Sequence, residues 1–145
     1  MFVLDSHCDT PSQILRLRDL SVDNHHAHVD FPKLKRGGVD GAFFALYVPG
    51  AKDTEEAFRY ACELLEGVEK AVAGNRDLAS FAVSASDAVK NKANGLFSVF
   101  LGLENGSPIG DDLERLKYFY DRGVRYITLC HSSNNQICDS CAPKE

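Results

Sequence analysis

Four apolar segments separated by stretches of helical period constrain this chain more than any other feature of its sequence. The first opens "FVLDSHCDTP" (Phe2 to Pro11); the others are "VDGAFFALYVP" (Val39 to Pro49), "LFSVFLGLE" (Leu96 to Glu104) and "VRYITLCH" (Val124 to His131). β-Branched and aromatic residues bounded by glycine and proline signal buried strands. Strands that alternate with helices imply a parallel sheet, nearly all apolar because helices cover both faces. The expected fold class is therefore α/β, with about four parallel strands and their helices.

The intervening segments support that pattern. Asp53 followed by Glu56 resembles a capping box, and Ala57, Ala61, Leu64, Leu65, Val68 and Val72 recur at helical spacing until Gly74-Asn75. "DDLERLKYFYDRG" places acids in its first turn, apolar residues at Leu113, Leu116 and Tyr120, and Gly123 at its end, which predicts a second helix. "SQILRLRDL" carries a short helical pattern, Phe81 to Val83 a brief extended segment, and Ser86 is placed to cap a short helix through Val89. By contrast, "SVDNHHAHVDFPKLKRGG" is polar, His-rich and turn-rich, and reads as a long loop. The 145 residues suffice for one domain with a core and not for two, and no repeat or domain boundary interrupts them.

Charge narrows the partners. A net charge of −5, with no basic run on a helix, gives no electrostatic footprint for nucleic acid and favours small or neutral partners. No apolar run approaches the ~18 residues that span a bilayer. The N-terminus lacks the basic start and small-residue cleavage site of a signal peptide, so a soluble, cytoplasmic protein with no membrane segment is expected. Five cysteines (Cys8, Cys62, Cys130, Cys138, Cys141), odd in number and unevenly spaced, argue against a secreted disulfide framework; reduced thiols are expected. Cys138 and Cys141 have C-x-x-C spacing. They lack both the strand-to-helix context of a redox motif and the second ligand pair of a Cys-type zinc site.

Chemically capable residues gather at the carboxyl ends of the strands, where parallel α/β folds place their sites. In a strand, His7 and Asp9 project to one face while Cys8 points to the other. An imidazole beside a carboxylate suits a zinc-like ion. A second His-x-Asp, His28 and Asp30, lies in a polar loop and is a weaker candidate, and His25-His26-Ala27-His28 reads as a solvated stretch. Glu104 either caps a turn or bridges two metal ions ~3.5–4 Å apart, as in two-metal hydrolases. His131 is either a satisfied histidine at a strand end or a hydrogen-bond donor to a developing oxyanion.

At this point the chain resembles the membrane dipeptidase (renal dipeptidase) family. "DSHCDTP" resembles that family's first metal motif, "HVDFPKLKRGGVDGAFFALYVP" its next segment, "GLENG" its bridging-glutamate motif, and "LKYFYDRGVRYITLCHSSNN" its G-V-R-Y-L-T-L-T-H segment. The resemblance implies a metal-dependent (β/α)8 TIM-type barrel and hydrolysis of dipeptides, often with tolerance for a D-residue at the carboxyl side. It makes His7 and Asp9 ligands of the first zinc, Glu104 the bridge between two zincs, and His131 the substrate-binding, catalytic histidine at the scissile carbonyl. A hydroxide shared by the zincs would attack that carbonyl. Such barrels frequently form dimers, so a homodimer is among the assemblies the resemblance implies.

Two departures stand out. Where the family often has E-G-G this chain has Glu104-Asn105-Gly106, and "SNNQICD" replaces the family's C-N-T-P-W-A-D. The family's second-zinc histidines, and the arginine and aspartate that hold the dipeptide's charged ends, come later than residue 145. The expectation is therefore that residues 1–145 form one incomplete catalytic domain, the first half of a barrel, poorly stable or inactive alone. The rival readings are another metal-dependent amidohydrolase, against which Asp9 speaks, and a non-catalytic fragment or pseudoenzyme with a binding role.

Overall fold

The apolar run Phe97–Glu104 becomes a strand in which all eight residues are buried. Around it the computed structural model describes residues 1–50 and 53–142. The strands are β1 (Leu4–Cys8), β2 (Gly41–Tyr47), β3 (Ala79–Phe81), β4 (Phe97–Glu104) and β5 (Val124–Thr128). The helices are α1 (Thr10–Ile14), α2 (Phe31–Arg36), α3 (Thr54–Gly74), α4 (Ala85–Ala93) and α5 (Leu113–Asp121).

All pairings are parallel, as the strand–helix alternation requires. β1 lies beside β2, and β2 pairs with β4 from Gly41↔Ser98 to Tyr47↔Glu104. The other edge of β4 is divided: β3 covers Phe97 to Val99, and β5 covers Leu101 to Glu104. α3 lays its predicted stripe on the sheet, with Ala57, Ala61, Leu64, Leu65, Val68 and Val72 buried. Phe44, Leu46, Val99, Leu101 and Leu103 belong to the same core. Full burial of one such large side chain contributes ~1.5–3 kcal/mol. Asp53 caps α3 by accepting from Glu56 N at 2.8 Å, as the capping pattern predicts.

Several expectations need correction. The predicted loop from Ser21 to Gly38 contains α2, capped by Asp30, which accepts from Lys33 N at 2.8 Å. Ser84 rather than Ser86 caps α4, which runs on to Ala93. The brief extended segment lies two residues earlier than Phe81 to Val83. α5 forms where predicted but buries Phe119, while Leu113, Leu116 and Tyr120 are exposed. The helix docks through Tyr118 and Phe119, whose rings meet Phe58, while the exposed Tyr120 ring lies under the Arg125 guanidinium at 4.3 Å. β1 also departs from the all-buried expectation, since only Cys8 of its residues is buried. Among the described residues it pairs on one side alone.

Candidate metal centre

β1 ends where α1 begins, and that junction sets the first two candidate ligands. Asp9 occupies the N-cap position of α1 without making a side-chain capping bond, leaving its carboxylate turned to His7. His7 Nε2 lies 3.4 Å from Asp9 Oδ1. Cys8 faces the other way, as strand alternation predicts, and its Sγ meets Thr10 Oγ1 at 3.0 Å. Burial pushes that thiol above its ordinary pKa, as expected of an inert core cysteine.

Glu104 arrives from the other side, on the last residue of β4. Val48 N donates to its carbonyl at 3.0 Å, and its side chain is only 11% exposed. Its Oε2 lies 3.1 Å from His7 Nε2 but without hydrogen-bond alignment, so this buried oxygen has no hydrogen-bond partner. An unsatisfied buried acceptor costs ~1–3 kcal/mol, more when charged. A cation among these groups would remove that cost.

The donor set fits such an ion. Ligand atoms of His7, Asp9 and Glu104 all lie within 4.8 Å of one another, the one such group among the described residues. Ligands ~2.0–2.2 Å from a tetrahedral ion lie roughly 3.3–3.6 Å apart, close to the 3.4 and 3.1 Å from His7 to its two carboxylates. Imidazole with carboxylate is a zinc-type set and equally serves other divalent ions of that class.

His131 was expected at a strand end. It lies instead three residues past β5, because the ladder stops at Thr128. The irregular segment nevertheless returns it to the site, with Nε2 3.5 Å from Glu104 Oε1 and its ring edge-on to Tyr47 at 5.2 Å. Asn135 holds this return: its Nδ2 donates to Leu129 O at 2.6 Å and to Asn105 Oδ1 at 2.9 Å. Asn105 itself has φ +84°, a left-handed conformation that asparagine tolerates better than most residues. Its Nδ2 donates to Val48 O at 2.9 Å, so the Asn found where the family often has Gly both accepts the backbone geometry and pins the turn after Glu104.

His7, Asp9, Glu104 and His131 thus meet at one rim. Asp30 does not join them: its oxygens cap α2, accept from Asn24 N and pair with Lys33. These hydrogen bonds outweigh the upward push of burial and hold its pKa low. His26 and His28, read as solvated, line a cleft of about 500 Å³ together with Asp5, His7 and Asp9. All five cysteines are free.

One neighbour escaped the sequence reading. Tyr126 Oη lies 3.0 Å from His7 Nδ1. Burial, and behind it the negative charge of Glu104, Asp9 and Asp5, pushes this phenol up to about 12, so it stays protonated at neutral pH. The available signal was Gly102 inside an otherwise bulky strand, which marks a close approach.

The chain is similar to known proteins. The family model for membrane dipeptidase, peptidase family M19, matches residues 1–145. Dipeptidase ataJ of Aspergillus terreus is 29% identical over 98% of this chain and 38% of its own length. A crystal structure of dipeptidase AC, a metallopeptidase of family M19, superposes with a TM-score of 0.83 at 25% identity, covering 91% of this chain and 43% of that one. A metallopeptidase from Rhodobacter sphaeroides, liganded with a phosphinate mimic of L-Ala-D-Ala, gives a TM-score of 0.85 at 22% identity, covering 93% of this chain and 47% of that one. The chain therefore spans less than half the length of each of these relatives. No helix among the described residues is long and apolar enough to cross a membrane.

Proposed function

The chain belongs to the membrane dipeptidase family of metallopeptidases, and on that membership we propose that it supplies the first part of a zinc-dependent dipeptide-hydrolysing site. In this reading residues 1–145 are one incomplete catalytic domain of a TIM-type barrel. His7 and Asp9 would hold one zinc, and Glu104 would be the carboxylate it shares with a second. The observation that carries the reading is the convergence of His7, Asp9 and Glu104 around a buried Glu104 oxygen with no hydrogen-bond partner.

Bound zinc lowers the pKa of water and polarises a peptide carbonyl. The chain's own residues supply the rest. Glu104 is held by β4 so that one oxygen faces His7 and the other faces His131. His131, 44% exposed at the open side, can present an N–H to a carbonyl oxygen as negative charge grows on it. Loss of such a donor typically costs ~3–4 kcal/mol in the transition state. His131 is also the substrate-binding residue of this proposal, with dipeptides as the substrate class.

The test is Glu104→Ala in the full-length protein, with zinc content and dipeptide turnover measured together. Loss of both is expected. A variant with the original zinc content and turnover refutes the assignment.

A further inference from the structure

Register sets Tyr126 of β5 opposite Gly102 of β4. The missing side chain at Gly102 is what lets the phenol ring lie across that strand: a Cβ there would fall 2.2 Å from Tyr126 Cζ. The ring packs against Phe43 at 5.0 Å between centroids and reaches over to β1. There it runs nearly parallel to the His7 imidazole, 21° between planes, with its hydroxyl 3.0 Å from Nδ1. The opposite ring nitrogen, Nε2, faces Asp9 and Glu104.

We propose that Tyr126 is the positioning residue of His7: its hydroxyl holds the imidazole so that Nε2 faces the metal, both before and after metal binds. The inference rests on the metal reading of His7, Asp9 and Glu104. A hydroxyl has one donor hydrogen and two lone pairs, so it serves either polarity of contact. When Nε2 carries the ring proton, Nδ1 accepts from Tyr126 Oη. With a cation on Nε2, the neutral ring carries its proton on Nδ1, which then donates to Tyr126 Oη. A carboxylate or backbone carbonyl, the common partners of ligating imidazoles, accepts only and would favour one state. The hydroxyl keeps His7 in place through both.

β1 gives this contact its importance. An outer strand with one buried residue offers little packing to orient a ligand, and Gly102 with Tyr126 transfers order from the buried centre to that edge.

The experiment is chelator competition for zinc on the full-length protein, on Tyr126→Phe, and on Glu104→Ala as the control. Phenylalanine keeps the ring against Phe43 and Gly102 and removes only the hydroxyl. Tyr126→Phe is expected to bind zinc roughly 10- to 100-fold more weakly, with the melting temperature of the metal-free protein unchanged. Equal affinity, while Glu104→Ala abolishes binding, overturns the role of Tyr126 and leaves the metal site standing. Absence of zinc binding in the unaltered protein overturns both. A second readout needs no variant at Tyr126: nitrogen-15 spectra of the His7 ring, identified by its loss in His7→Gln. With zinc bound, the proton is expected on Nδ1. A zinc-loaded protein without a proton on Nδ1 contradicts the proposal.

Discussion

β4 and β1 each deliver a candidate ligand to the same rim, by opposite means. β4 is buried at every position, is paired along both edges, and carries Glu104 with a side chain 11% exposed. β1 pairs with β2 alone among the described residues and buries only Cys8, and its His7 side chain is 42% exposed. Glu104 is fixed by the core. His7 is fixed by polar contacts to Tyr126 and by the carboxylates beside it. The two halves of the site should therefore fail differently: core substitutions near β4 cost stability, and substitutions around β1 cost ligand geometry.

The largest expected effect lies in the core. Phe44 on β2 is fully buried and sits opposite Leu101 of β4. Phe44→Ala should lower unfolding free energy by ~3–5 kcal/mol in denaturant titration. A loss below ~1 kcal/mol would break the claim that this centre is close-packed. The smallest expected effect lies on the edge, where Leu4 is 45% exposed. Leu4→Ser should change stability by no more than ~0.5 kcal/mol and leave zinc affinity unchanged. A cost similar to that of Phe44→Ala would show that the edge strand is covered as tightly as the centre.

The same contrast explains what the sequence made legible. β2, α3 and β4 announce themselves because their burial is nearly complete on one stripe or on both faces, and burial dictates residue type. α2 went unread although Asp30, Pro32 and Gly37 are its cap, first-turn proline and terminator. Its polar surroundings from Asn24 to His28 gave no periodic apolar stripe to weigh against the loop reading. The exposed face of α5 shows the opposite, since Leu113, Leu116 and Tyr120 have helical spacing and yet remain exposed. Among the residues that meet at the rim, His7, Asp9 and Glu104 were legible as candidates because each lies at the end of an apolar run. His131 was legible as a candidate too, although the ladder ends before it. Tyr126 was missed because its contact with His7 spans 119 positions, and no local pattern encodes it. Gly102 alone hints at it.

The central claim is that His7, Asp9 and Glu104 share a metal ion. The most direct test is anomalous X-ray scattering at the zinc edge from crystals of the full-length protein grown with zinc. The account predicts a peak bounded by His7 Nε2, Asp9 and Glu104, ~2.0–2.2 Å from each ligand atom. Zinc found only on the loop histidines His25, His26 and His28, with no peak among the three ligands, would contradict it.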